Sequence, residues 1–211
     1  MTTSRFDLNA ERDYWNQRYA TRELIWTSEA NRFVAEEVST LNPGRALDLA
    51  AGEGRNAVWL AERGWQVRAV DLSDVAIGKA GQLATSRNVA DRIEFQTADL
   101  RRYEPKAERF DLVMLIYLQL PQAELQPIVA RAANAVAPGG TFLLVAHDIS
   151  NIEHGYGGPQ DPAVLHSAAQ VTPLLDGRFD IERAGVAERP VKTNSSLEVA
   201  LDCVVRGTRH G

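Results

Sequence analysis

The segment Ala46-Leu47-Asp48-Leu49-Ala50-Ala51-Gly52-Glu53-Gly54-Arg55-Asn56 constrains this chain more than any other stretch. A short apolar strand runs into a glycine turn, and the turn opens a helix at Ala57-Val58-Trp59-Leu60-Ala61. Gly52 and Gly54 carry no Cβ, so the backbone can turn sharply and let a ligand touch it. The helix that follows presents unpaired N–H groups to that ligand. A second strand, Trp65 to Val70, leads to Asp71, where a carboxylate can accept both hydroxyls of a ribose. Together these features predict a nucleoside pocket at the carboxyl edge of a parallel sheet.

The type of nucleoside follows from two further positions. A dinucleotide fingerprint needs a third glycine where this chain has Ala57, which counts against a nicotinamide cofactor. Asp48, four residues before Gly52, would repel a pyrophosphate and suits a ligand that carries positive charge instead. With these residues in place, the sequence resembles the class I S-adenosylmethionine-dependent methyltransferases, whose motif reads D-x-G-x-G-x-G. The corresponding stretch here is Asp48 to Gly54, with Ala50 in the first glycine position. Gly54-Arg55-Asn56 behind Leu47-Asp48-Leu49 is most similar to the small tellurite-resistance and thiopurine-type branch, and the resemblance covers about Tyr14 to Gly140. It implies S-adenosylmethionine as cofactor and S-adenosylhomocysteine as product. It also implies that Asp71 holds the ribose hydroxyls, Leu72 packs on adenine, Asp99 accepts the adenine amino group and the Leu100 N–H donates to the ring. Two other readings stand beside it: a noncatalytic S-adenosylmethionine-binding sensor or regulatory subunit, and an NAD-dependent oxidoreductase. The blandest reading is that the glycines only close a strand–helix turn.

A chain of 211 residues fits one domain with a single core. Residues 1–43 read as an N-terminal helical cover and 44–211 as a Rossmann-like core. Hydrophobic residues make up 45% and charged residues 24%, the composition of an ordinary globular protein. The net charge of −5 predicts no nucleic-acid partner and no anionic membrane. The adjacent pair Arg101-Arg102 reads as solvated surface. The single cysteine excludes an internal disulfide, and no zinc site is expected. Cys203 falls in the alternating run Leu197, Val199, Leu201, Cys203, Val205, as a core strand residue would. With no export signal or membrane-spanning stretch, the expected location is the cytoplasm. The oligomeric state is left open.

Along the chain, a helix is predicted from about Ala10 to Tyr19 and another from about Glu29 to Thr40, stopped by Asn42-Pro43-Gly44. Ser73 is placed as the N-cap of a third helix. Strands are expected at Arg92 to Thr97 and Phe110 to Ile116, the latter an unbroken apolar run suited to a strand buried on both faces. Pro121 starts a helix that runs to Ala137 and stops at Pro138-Gly139-Gly140, followed by a strand over Thr141 to Ala146. His147 to Pro162 reads as a loop long enough to suggest a function. A helix from Pro162 to Leu175 then leads to two strands, Phe179 to Glu188 and Leu197 to Arg206, joined by a short connection as an antiparallel pair. The β–α alternation predicts an α/β doubly wound sheet with a C-terminal antiparallel hairpin.

In such sheets ligands sit beyond the carboxyl ends of the strands. That rule selects Asp48 to Asn56, with Ala50, Gly52, Arg55 and Asn56 against the cofactor, together with Asp71, Asp99 and Ile116-Tyr117. An aromatic cluster of Tyr14, Trp15 and Trp26 with Arg18 is expected to cover the cofactor, Arg18 pairing with its methionyl carboxylate. Aromatic faces also suit a sulfonium cation. The acceptor side is assigned to Tyr117 and His147 as catalytic groups, with Gln119, Asp148, His154 and Arg189 around the substrate. Methyl transfer is an in-line displacement, so alignment dominates. A base is needed only when the acceptor loses a proton, and histidine suits that role near neutral pH. The Asp-Pro-Pro-Tyr type motif of amino-group methyltransferases is replaced after the fourth strand by Leu115-Ile116-Tyr117-Leu118-Gln119-Leu120-Pro121. Methylation of nucleobase or glutamine amino groups is therefore disfavoured, and because 211 residues leave little material for a separate substrate domain, the expected acceptor is a small molecule with a thiol, chalcogen, phenolic or heterocyclic centre.

Overall fold

Runs of apolar residues, cut at glycine and proline stops, set the strands of this chain, and amphipathic segments between them set the helices. A computed structural model describes residues 8–211 except Arg22, Trp26, Asp176 and Asn194. Helix α1 (Leu8–Tyr19) and helix α2 (Arg32–Val38) precede β1 (Arg45–Leu49), α3 (Arg55–Glu62), β2 (Gln66–Asp71), α4 (Asp74–Ser86) and β3 (Ile93–Thr97). The chain continues through β4 (Phe110–Ile116), α5 (Gln122–Ala135), β5 (Val136–His147), α6 (Asn151–His154), α7 (Ala168–Val171), β6 (Phe179–Lys192) and β7 (Leu197–Arg209).

The strands form one seven-stranded sheet in the order β3-β2-β1-β4-β5-β7-β6. Strands β1 to β5 run parallel, whereas β7 is antiparallel to both of its neighbours. The fold is the doubly wound α/β sheet with a terminal antiparallel hairpin that the alternation predicted. Because successive side chains of a strand point to opposite faces, β4 divides its residues between two cores. Val113 and Leu115 join α5 and Phe142 on one face, while Leu112, Met114 and Ile116 join Phe33, Val34 and α3 on the other.

Several elements differ from their expected bounds. The helix read over Pro162 to Leu175 is broken into a 3-10 turn at Pro162–Val164, the short α7, and a second 3-10 turn at Thr172–Leu175. The break falls at Ser167, which restarts the chain with a capping box to Gln170. The loop after β5 is partly ordered by α6, and Asp148 bridges to His166. The final strands run longer than read, and α5 ends at Ala135 because the chain turns directly into β5. Among the described residues, no helix is long and apolar enough to cross a membrane.

Asp48 lies in the middle of this apolar packing. It is 0% exposed, opposite Met114 on β4 and Ala69 on β2, and both carboxylate oxygens lack a hydrogen-bond partner among the described residues. Burial, reinforced by the Asp71 carboxylate, pushes its pKa from 3.8 up to about 7. Between about pH 4 and 7 the folded chain therefore keeps a proton that the unfolded chain has released. Stability falls as pH rises through that window and is level above it, by on the order of 4 kcal/mol for this group alone. In urea unfolding without cofactor, Asp48→Asn is expected to flatten the fall between about pH 4 and 7. A variant whose stability drops as steeply as that of the unmodified protein would assign the titration to another group.

Candidate active site

The parallel strands discharge their loops at one edge, and a cavity of about 480 Å³ opens there. Its floor is the turn after β1, where Ala50, Gly52 and Gly54 all adopt positive φ, at 63°, 53° and 78°. Asp71, at the end of β2, holds this turn: Oδ2 accepts from the Gly52 N–H at 2.8 Å, and Oδ1 accepts from the Ser73 N–H at 2.9 Å. Burial raises the Asp71 pKa, although backbone N–H groups oppose the shift. A side chain at Gly52 would approach the Tyr19 hydroxyl within 3.0 Å, and a Cβ at Gly54 would lie 2.6 Å from the Cβ of Ala80. The first glycine thus admits Tyr19 to the cavity wall, and the second lets α4 pack on the start of α3.

One wall of the cavity is acidic. Asp99 accepts at Oδ1 from the Arg101 N–H at 3.0 Å, while its Oδ2 is buried without a hydrogen-bond partner among the described residues. Arg101 also pairs with Glu11 of α1 at 2.6 Å and with Glu124 of α5. Helix α1 is fastened beside this wall: the Ser73 hydroxyl donates to Asn16 at 2.6 Å, and the Asn16 amide donates to Asp74 at 2.8 Å. Glu53 pairs with Lys79 at 3.0 Å and accepts from the Ile25 N–H at 2.8 Å, which draws in the segment after α1. The Asn56 side chain likewise accepts from the Asn31 N–H at 2.9 Å.

The opposite end is built around Asp202 of β7, which is completely buried. Its Oδ2 accepts from the Tyr117 hydroxyl at 3.0 Å and from Arg189 Nε at 2.6 Å, and its Oδ1 lies 3.3 Å from His147 Nδ1. Burial pushes the Asp202 carboxyl upward, but His147, Arg189 and Tyr117 outweigh that effect and hold it below the usual range. Burial, aided by the Asp202 charge, raises the Tyr117 phenol, so it stays a neutral donor. Tyr117 itself has φ 56°, a costly conformation for an aromatic residue, and its ring sits 4.7 Å from that of His147.

Most of the positions predicted from sequence converge here. Ala50, Gly52, Arg55, Asn56, Asp71 and Leu72 line the cavity, as do Asp99, Leu100 and Ile116. Tyr117, Gln119, His147 and Arg189 line it from the other end. Asp48 lies beneath the floor rather than in the lining. Three expected residues are not brought in. Arg18 is exposed, near the end of α1, with its guanidinium 5.9 Å from the Trp15 ring. Asp148 turns inward to accept from the Ser150 N–H at 2.9 Å, fastening the exit of β5. His154 is an exposed residue at the end of α6, beside Glu153. Trp26 lies outside the described residues. Sequence reading missed Asp202, Glu11 and the cavity position of Arg101, which is not the solvated residue expected.

Comparison with known proteins now gives the cavity a context. Residues 46–140 match a family model described as a methyltransferase domain. The chain is 26% identical over 185 residues to the tRNA 5-carboxymethoxyuridine methyltransferase of Escherichia coli K12, covering 86% of this chain and 63% of that protein. It is 31% identical over 110 residues to the ribosomal RNA small subunit methyltransferase C of Alcanivorax borkumensis, covering 50% of this chain and 33% of the relative. The chain thus spans less than two thirds of the length of either. In fold it is similar to magnesium protoporphyrin IX methyltransferase of Synechocystis PCC 6803, solved with bound S-adenosylhomocysteine. That likeness has a TM-score of 0.68 at 20% identity and covers 96% of this chain and 100% of the other. The relatives named for tRNA and rRNA overturn the exclusion of nucleic acid drawn from the net charge. A whole-chain charge of −5 averages over the surface and does not describe the cavity end that holds Arg55 and Arg189. Residues 46–140, the stretch from β1 into β5, are thus similar to a methyltransferase domain, and β7 and β6 extend the same sheet beyond the matched residues.

Proposed function

We propose that this chain transfers the methyl group of S-adenosylmethionine to an oxygen, sulfur or other chalcogen nucleophile, or a heterocyclic centre, presented at the Tyr117–His147 end of the cavity. The observation that carries the cofactor's placement is the buried, unpartnered Oδ2 of Asp99 on the cavity wall, an acceptor that an adenine amino group would satisfy. In this reading Asp71 and Leu72 hold the ribose and the adenine face, and Leu100 supplies an N–H to the ring. The glycine turn and Arg55 face the amino-acid portion. The bound cofactor supplies an electrophilic methyl on a sulfonium. Tyr117 and His147 align the acceptor with that methyl, Tyr117 through a ring fixed by its hydroxyl's bonds to Asp202 and Arg189, and His147 as the nearest proton acceptor. Methylated amino groups are disfavoured because Leu115 to Pro121 carries no Asp-Pro-Pro-Tyr type motif. An RNA nucleoside belongs in the acceptor panel, since relatives are named for tRNA and rRNA. The tellurite-resistance and thiopurine-type branch rests on Gly54-Arg55-Asn56 and stays part of the proposal, as does a cytoplasmic setting.

Residues 1–43 are proposed as a cover over the cofactor. The described contacts that support it are Asn16 with Ser73 and Asp74, and Glu11 with Arg101.

Three measurements check this reading. Asp99→Ala is expected to weaken S-adenosylhomocysteine binding by about ten- to a hundredfold, the loss typical of a hydrogen bond to a charged group. Unchanged affinity by calorimetry would remove Asp99 from the site. His147→Ala and Tyr117→Phe are expected to lower methyl-transfer turnover and leave S-adenosylhomocysteine affinity within about twofold. The loss reaches about 10²–10⁴-fold at His147 where the acceptor must lose a proton. Turnover unchanged in both variants would move the acceptor elsewhere. S-Adenosylhomocysteine should also slow tryptic cleavage after Arg12 and Arg18, and equal cleavage with and without it would argue against a cover.

A further inference from the structure

Three separate parts of the chain hold the ring of His147. His147 stands directly opposite Asp202 in the β5–β7 ladder, so the two side chains lie on one face of the sheet. Its Nδ1 is buried and lies 3.3 Å from Asp202 Oδ1. The Tyr117 ring sits 4.7 Å away, tilted by 37°. The third neighbour is the glycine-rich loop after β5: a Cβ at Gly158 would come within 3.1 Å of both Nδ1 and Cε1. Asn151, itself 1% exposed, fastens that loop to β7. Its amide donates to the Gly157 carbonyl at 2.8 Å, and its carbonyl accepts from the Leu201 N–H at 2.7 Å. The loop backbone is thereby drawn toward the strand that carries Asp202, and both approach the Nδ1 edge of the imidazole. The nitrogen left over is Nε2, which makes no hydrogen bond among the described residues, and His147 lines the cavity.

A neutral imidazole carries one proton, on Nδ1 or on Nε2. At 3.3 Å the Asp202 contact is long for a hydrogen bond, so the sign of the charge decides between the two. Asp202 is ionised: burial opposes its charge, but His147, Arg189 and Tyr117 together outweigh that effect. Its carboxylate repels a lone pair on Nδ1 and attracts an N–H. We propose that Asp202 and Gly158 are positioning residues that hold His147 as the Nδ1–H tautomer, with the Nε2 lone pair offered to the cavity as the proton acceptor for a hydroxyl or thiol. The inference rests on the reading of the cavity as a methyl-transfer site. As the acceptor oxygen or sulfur bonds to the methyl carbon, the bond from that carbon to the cofactor's sulfur breaks and leaves a neutral thioether. The acceptor's proton passes to Nε2, and the imidazolium so formed faces the Asp202 carboxylate through its Nδ1–H. The Nε2 proton then goes to solvent.

Long-range proton–nitrogen correlation spectra of the isotopically labelled full chain read the tautomer directly. The chain has four histidines, and His147 is assigned by the signals missing from His147→Gln. At a pH where the ring is neutral, the proton is expected on Nδ1 in the unmodified protein. It should move to Nε2 in Asp202→Asn, whose amide can donate to Nδ1. Transfer of radiolabelled methyl is then compared between 4-nitrothiophenol, which arrives as a thiolate, and two acceptors that arrive with their proton, 4-methylphenol and 2-mercaptoethanol. General-base catalysis is worth about 10²–10⁴-fold. The ratio of kcat for the protonated acceptors to kcat for the thiolate should therefore fall at least about tenfold in Asp202→Asn. Gly158→Ala, which crowds the ring without touching the Asp202 ion pair, should lower the same ratio. The unmodified spectrum and Gly158→Ala decide the matter where Asp202→Asn does not fold. An Nε2–H tautomer in the unmodified protein would overturn the inference. So would losses in the variants that are equal for thiolate and protonated acceptors, or no transfer to either protonated acceptor. Failure of the unmodified protein to bind S-adenosylhomocysteine by calorimetry would instead overturn the methyl-transfer reading, whatever the tautomer.

Discussion

The carboxylate of Asp71 ties together the parts of the cavity that come from different loops. One oxygen takes the N–H of Gly52 in the turn after β1, and the other takes the N–H of Ser73 just before α4. Ser73 in turn caps α4 through its hydroxyl, accepting from the Ala76 N–H at 3.0 Å, and donates to Asn16 of α1. Two strand ends and two helices are therefore linked through one buried acid. Taking a carboxylate out of water is unfavourable, and the nearby Asp48 adds repulsion. Backbone N–H groups of Gly52, Leu72 and Ser73 offset part of that penalty. The same groups fix the path of the glycine turn, so the cavity floor is in place before any ligand arrives.

The polarity of the cavity follows from the topology. The carboxylates that gather around Arg101 come from the end of β3 and the first turn of α5, together with Glu11 of α1. The groups at the other end come from the central and C-terminal strands: Tyr117 after β4, His147 at the end of β5, Arg189 on β6 and Asp202 on β7. The cavity thus has two chemically different walls that the chain builds from separate stretches.

How much of this was legible in the sequence depended on how local each signal is. The register of Asp48, Gly52, Asp71 and Asp99 could be read because each sits at or beside a strand end with a short turn, and turn chemistry is local. Arg101 could not: its carboxylate partners Glu11 and Glu124 lie far away in the chain, so only the tertiary fold shows that the arginine is not a solvated surface group. Asp202 was hidden for a different reason. It lies one residue from Cys203 in an alternating run, where a polar residue ordinarily faces solvent. Here β7 is inserted between β5 and β6, and residues 202–205 are buried on both faces. The break in the helix over Pro162 to Leu175 was missed because its periodicity continues across Ser167, whose capping box restarts the chain.

The hairpin of β6 and β7 forms the far margin of the sheet, and among the described residues β6 has no strand on its outer side. Marginal strands are prone to slide, because the backbone ladder looks nearly the same after each shift. Asp202 pairs with Ala187, and Arg189 with Ala200, so the ion pair spans the ladder diagonally. A slip of one residue would swing one member of that pair through to the other side of the sheet and leave a charge stranded in apolar packing. The contact that anchors the Tyr117 end of the cavity therefore also acts as a proofreading mark for strand alignment: a misaligned hairpin is penalised at the position where a shift of one residue would undo that end.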